Sequence, residues 1–83
     1  MNYKIELGPK AKKAIIKLPQ EISLRIIKKL KQLEENPFHY LEHYEGDGYK
    51  FRIGDYRALI DADIENRILT VRILDKRGRI YKR

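Results

Sequence analysis

The sequence predicts an α+β fold: a small antiparallel β-sheet, built from an N-terminal strand and a C-terminal meander, with an N-terminal two-helix hairpin packed on one face. Three observations predict it. Residues 2–7 alternate in polarity, residues 10–35 carry apolar positions at helical spacing in two runs, and residues 48–83 break into short alternating runs separated by turn residues. In the first strand Tyr3, Ile5 and Leu7 oppose Lys4 and Glu6, as expected when one face is buried. Gly8-Pro9 ends it, and proline suits the first turn of the helix that follows. Ala11, Ala14, Ile15 and Leu18 recur at i, i+3, i+4 and i+7 to make that helix's apolar stripe, with Lys10, Lys12, Lys13 and Lys17 on its wet side. Pro19 interrupts the pattern. A second helix over 20–35 buries Ile22, Ile26, Leu30 and Leu33, with Ile27 widening the stripe, and Asn36-Pro37 stops it.

Residues 38–47 read as a connecting segment in which Phe38, Leu41 and Tyr44 plug the edge of the core. Strands are expected over 49–53, 56–62 and 68–74, with a last short one over 79–82. In the first of these Tyr49, Phe51 and Ile53 oppose Lys50 and Arg52, and Gly54-Asp55 is a glycine-led hairpin connection.

Eighty-three residues suggest one domain spanning 1–83, too small to enclose a deep cavity, so any site should be a surface cleft. Cysteine is absent, which removes thiol nucleophiles and thiolate metal sites. No apolar run approaches the roughly 18 residues that span a bilayer, and the N-terminal stretch lacks a signal-like apolar segment. A cytoplasmic protein with no membrane partner is therefore expected. The net charge of +7 is concentrated in residues 48–83, which hold ten Lys or Arg against five Asp or Glu. Such a surface attracts phosphates, anionic lipid or an acidic protein.

Several chemistries find no support. There is no Walker-type glycine loop, and Ser23, the sole serine, sits on a helix without flanking glycines. His39, Glu42 and His43 could share a metal only if 38–43 were helical, and Pro37 and Gly46 bracket too short a helix. Asp61 and Asp63 share a strand face, but carboxylates at strand ends are usually solvent contacts. No metal and no cofactor is expected. What remains is the basic set Lys50, Arg52, Arg57, Arg77 and Arg79 with Tyr81, on strands or turns that a meander brings side by side. If Tyr56 packs under the helices with Ala58 and Ile60, Arg57 emerges on the same open face as Lys50 and Arg52. Periodicity alone favours ordinary exposed cations on the wet side of a sheet.

The order of strand, helix hairpin, a segment opening with Asn36-Pro37-Phe38, then YKFRIGDYRALIDAD and a basic closing segment with Tyr81 resembles the RelE/ParE toxin superfamily, in particular its RelE-type messenger-RNA interferases. The resemblance covers essentially the whole chain, and its most specific piece is FRIGDYR followed by ALIDAD. It implies the toxin of a type II toxin–antitoxin system, an endoribonuclease that cuts messenger RNA in the ribosomal A site without a metal, the 2′-hydroxyl attacking the adjacent phosphate. It also implies Arg57 at the transition-state phosphate, with Lys50 and Arg52 orienting the backbone or activating the nucleophile. Arg77 would assist the phosphate or leaving oxygen. Tyr81 is the nearest match to the family's C-terminal tyrosine base, although it follows Arg77 by only four residues; it serves as base, stacks on a nucleobase, or packs on the edge. Arg79, Lys82 and Arg83 would add RNA contacts. The implied partners are an acidic antitoxin, the ribosome with its message, and operator DNA bound as a toxin–antitoxin complex. Two other functions fit the same fold: a ParE-like inhibitor of DNA gyrase, and a non-catalytic nucleic-acid-binding co-repressor.

Overall fold

The computed structural model describes residues 2–76; the strand expected over 79–82 lies outside them. The elements are β1 (Lys4–Leu7), α1 (Pro9–Lys17), α2 (Gln20–Lys31), β2 (Glu42–Glu45), β3 (Gly48–Ile53), β4 (Tyr56–Asp63) and β5 (Ile68–Lys76), with single 3₁₀ turns at Gln32–Glu34 and Pro37–His39. The five strands form one sheet in the order β1-β5-β4-β3-β2. Neighbours from β2 to β5 are antiparallel, whereas β1 runs parallel to β5, with Ile5 opposite Leu69. The sheet is thus mixed where an all-antiparallel one was expected. Alternation reports which face of a strand is buried and carries no information on its direction.

The expected helix hairpin forms. Pro9 opens α1, and the proline at position 19 begins α2 without costing a helical hydrogen bond. Ala11 and Ile15 of α1, Ile26 and Leu30 of α2, and Leu33 of the following 3₁₀ turn reach the core. Ser23 ties the two helices together, its hydroxyl donating to the Ile15 carbonyl at 2.7 Å. The helix predicted over 20–35 tightens at Gln32 into a 3₁₀ turn. There the Glu34 carbonyl turns aside to accept the Tyr3 amide at 2.8 Å, which fastens the end of the hairpin to the start of β1.

Under the helices lie Phe51 and Ile53 of β3, Ala58, Ile60 and Ala62 of β4, and Leu69, Val71 and Leu74 of β5. Each is 7% exposed or less, so this face is closed to water. Tyr49 and Tyr56 flank that cluster, as the alternation predicted. The segment read as a connection contains β2, an edge strand whose four residues are all exposed. Its sequence, EHYE, has no apolar face to betray it. Leu41 packs on the core as expected, and Phe38 meets the Tyr3 and Tyr49 rings edge-on at 5.8 and 5.2 Å. Tyr44 does not plug the core. It is 48% exposed and lies on the opposite face of the sheet.

Leu33 is fully buried, so Leu33→Ala should lower the free energy of unfolding by about 2–5 kcal/mol, read from the denaturant midpoint. At the β4–β5 turn the Asn66 side chain and then its backbone amide donate to Asp63, holding that carboxyl below its ordinary pKa. A carboxyl so depressed stabilises the fold above its unfolded pKa, and the contribution fades as pH falls through the folded value. Replacing Asn66 by Ala should return the Asp63 titration, followed by NMR, towards the ordinary value.

Candidate functional site

The face of the sheet away from the helices carries the residues that alternation forces outward. On β3 these are Lys50 and Arg52, and on β4 Arg57, Leu59, Asp61 and Asp63. Pairing register sets their neighbours. Arg52 lies directly opposite Arg57, and Arg57 opposite Asp75 of β5, so one row across the sheet reads Arg52, Arg57, Asp75. The next row reads Glu42, Lys50, Leu59, Ile73. Adjacent strands are about 5 Å apart, close enough for side chains of neighbouring rows to share one phosphate. Gly54, at φ +58°, makes the tight β3–β4 connection that holds Arg52 and Arg57 in register.

The electrostatics of this row are unusual. Two arginines opposite one another on a ladder repel, and Asp75 on the far side of Arg57 offsets only part of that. Arg52 is exposed while Arg57 is half-buried, with its Nε shielded from solvent. The Arg57 fork is thereby held by its surroundings rather than left to sweep through solvent. Lys50 pairs with the Glu42 carboxylate at 3.4 Å, and its ammonium sits 5.8 Å from the centre of the Tyr44 ring. Glu42 is three-quarters exposed, so this ion pair is weak and yields readily to a stronger anion. Two guanidinium groups and an ammonium on adjoining rows form a fixed cationic platform, suited to an oxyanion with several oxygens.

Of the residues singled out from the sequence, Lys50, Arg52 and Arg57 are brought together on this face. Arg77, Arg79, Tyr81, Lys82 and Arg83 lie outside the described residues, whose last strand ends at Lys76 opposite Tyr56. The carboxylates and histidines weighed as metal ligands are otherwise engaged. Asp61 pairs with Arg72 at 3.5 Å and Asp63 accepts from Asn66. His39 closes a 3₁₀ turn, while His43 on β2 packs on Tyr49 and donates from Nε2 to the Gly46 carbonyl at 2.9 Å. Among the described residues no group of three such side chains is placed to hold a metal, and no helix is long and apolar enough to cross a membrane. Sequence reasoning missed Glu42, Tyr44 and Asp75. Recognising β2 would have found the first two, and the only available signal was the Gly46 to Gly48 turn ahead of β3.

The fold and site define a basic α+β domain that presents fixed cations on a bare sheet face. The model of the ParE toxin of type II toxin–antitoxin systems, parDE, matches residues 5–80. The chain belongs to this toxin family, within the RelE/ParE superfamily. A search of curated sequences finds no significant relative. Among solved structures the chain is similar to the Mycobacterium tuberculosis RelBE2 toxin–antitoxin complex, at 21% identity and a TM-score of 0.84, covering 93% of this chain and 100% of the other. It is similar to the archaeal RelE–RelB complex of Pyrococcus horikoshii at 25% identity and a TM-score of 0.78, covering 95% and 99%. An arginine double mutant of Escherichia coli RelE in the free state matches at 22% identity and a TM-score of 0.80, covering 99% and 90%.

The Arg52–Arg57 juxtaposition yields a prediction. Arg52→Gln should raise the free energy of unfolding by a fraction of a kcal/mol up to about 1 kcal/mol, read from a higher urea midpoint, because it removes a like-charge pair. The gain should shrink in high salt, where exposed charges are screened.

Proposed function

We propose that this toxin is a ribosome-dependent endoribonuclease that cuts messenger RNA in the A site. The observation that carries the reading is the grouping of Lys50, Arg52 and Arg57 on two adjoining rows of the uncovered face, with Arg52 directly opposite Arg57. In the reaction the 2′-oxygen bonds to the adjacent phosphorus and its proton passes to a base. The P–O5′ bond then breaks as the departing 5′-oxygen takes up a proton, leaving a 2′,3′-cyclic phosphate. Negative charge grows on the non-bridging phosphate oxygens along this path. Cations fixed beforehand stabilise that state more than the ground state, because no reorganisation is needed as the charge develops. Arg57 is assigned to those oxygens, its planar fork meeting two at once. Lys50 and Arg52 orient the backbone on either side, Arg77 assists the phosphate or the leaving oxygen, and Tyr81 is the candidate base. Arg79, Lys82 and Arg83 extend the RNA contact. A chain of this size has few means of holding RNA in line, and the decoding site supplies part of that geometry.

An acidic antitoxin is the matching inhibitor, since several of the similar structures are toxins in complex with RelB antitoxins. It would neutralise the cationic row by covering it, and the joint complex would bind operator DNA. A second reading is favoured by the family model itself, which describes ParE toxins: the target would be DNA gyrase, and the basic face would serve recognition without cleavage.

Primer extension on a message translated by purified ribosomes separates the two. The wild-type chain should produce cuts in phase with the reading frame and only when ribosomes are present. Arg57→Ala should reduce the rate by about 10²–10³-fold or more while the fold is kept. Intact message at a protein level that stops DNA supercoiling by gyrase would sink the nuclease reading in favour of the second.

A further inference from the structure

Tyr44 is where the β2–β3 pair departs from regular geometry. Glu42 faces Lys50 and His43 faces Tyr49, yet the residue opposite Gly48 is Glu45, so Tyr44 is an extra residue in the edge strand. Alternation along β2 sends Tyr44 to the face of Glu42 and away from His43, whose ring packs on Tyr49 at 5.3 Å, and the Tyr44 ring stands 5.8 Å from Lys50 Nζ on the open face. A side chain at position 48 would crowd the turn. A Cβ there would stand 3.0 Å from the Glu45 carbonyl, 3.7 Å from Tyr44 Cδ2 and 3.9 Å from Asp61 Oδ1, where the chain doubles back beneath the ring. Beside Tyr44 an open trough runs across Leu59, Asp61 and Thr70 to the exposed Ile64.

The trough and the cationic row differ in chemistry. The row carries positive charge and little apolar surface. The trough offers an aromatic face, aliphatic side chains and carboxylates, among them Asp47 and Asp61, with Arg72 at its wall neutralised by Asp61 at 3.5 Å. A nucleotide has the same division, between a phosphate that needs cations and a base that needs a flat apolar face and acceptors for its N–H groups. We infer that Tyr44 and the trough beside it form a base-binding subsite, in which a base of single-stranded RNA stacks on Tyr44 while its phosphate lies on Lys50 and the backbone continues to Arg57. This rests on the reading of the face as RNA-binding and adds where the base goes. The Asp47 carboxylate rejects a phosphate and accepts from amino and imino groups, so the ligand enters in one polarity. Lys50, between ring and row, touches both halves of the nucleotide.

The test is the binding of a short fluorescein-labelled single-stranded oligoribonucleotide to the full chain, followed by anisotropy across a salt series. It compares wild type, Tyr44→Phe, Tyr44→Ala and Lys50→Gln, with the ribosomal cleavage assay run alongside. Tyr44→Phe keeps the ring and should bind within about twofold of wild type. Tyr44→Ala should weaken binding by about 5- to 100-fold, the usual effect of losing one stacked base. Its salt dependence should stay unchanged, because no phosphate contact is lost, whereas Lys50→Gln should lower the salt slope by about 0.7. Equal affinity of Tyr44→Ala and wild type overturns the subsite, as does a wild-type chain that binds no RNA. Loss in Tyr44→Phe together with a reduced salt slope overturns it too, since the ring would then act only by supporting the cations. RNA binding that depends on the Tyr44 ring, with intact message on ribosomes, would leave the subsite standing and remove the nuclease.

Discussion

The alternation of β4 is the constraint from which the candidate site follows. This strand is paired on both sides, to β3 and β5, and buries Ala58, Ile60 and Ala62 beneath the helices. Arg57 lies between Tyr56 and Ala58 and can only point the other way. A slip of one residue would drive a guanidinium into an apolar core and push Ile60 into water. Desolvating an uncompensated charge costs several kcal/mol, comparable with the whole stability of a small domain. The placement of Arg57 is thus enforced by the packing of its neighbours. Arg52 inherits the same certainty through the ladder, because Phe51 and Ile53 on either side of it are buried.

A surface built this way is ordered before any ligand arrives, which is what electrostatic stabilisation of a transition state requires. The cost is internal repulsion. A sheet selected for stability alone would place opposite charges at the positions of Arg52 and Arg57, and Asp75 on β5 shows that the chain can put an acid beside Arg57 when it serves. Concentrating like charge on one face is a departure from local optimality, and such departures cluster where a protein meets its ligand.

The elements with a buried face were legible in the sequence: Tyr49 to Ile53 by strict alternation, Ala11 to Leu18 and Ile22 to Leu33 by helical spacing, and Arg57 outward by exclusion. What escaped had no such signature. The strand Glu42–Glu45 buries nothing, so hydrophobic pattern is silent about it, and its existence rests on backbone pairing to Lys50 and Tyr49. The parallel direction of β1 was hidden because period 2 reads the same both ways. The 3₁₀ turn after Lys31 reflects a long-range partner, the Tyr3 amide, which no local window contains. Tyr44 was misplaced for a related reason: its face follows from alternation with His43 in a strand that the hydrophobic pattern could not detect.

The edge strand also serves two ends. An open sheet edge invites pairing with another chain, and natural edges are blunted by shortness, charge and bulges. Four residues long, carrying Glu42 and Glu45 and interrupted by the Tyr44 bulge, β2 has all three features. The charge that guards the edge also sets Glu42 against Lys50, where it holds the ammonium with a carboxylate exposed enough to be displaced. The bulge spoils the edge for strand addition, while the alternation of β2 delivers an aromatic ring to the border between cations and carboxylates. Straightening β2 by deleting one residue would regularise the ladder and remake the edge as a template for pairing with another chain. The strand therefore guards this edge of the sheet while its alternation makes the open face bipartite.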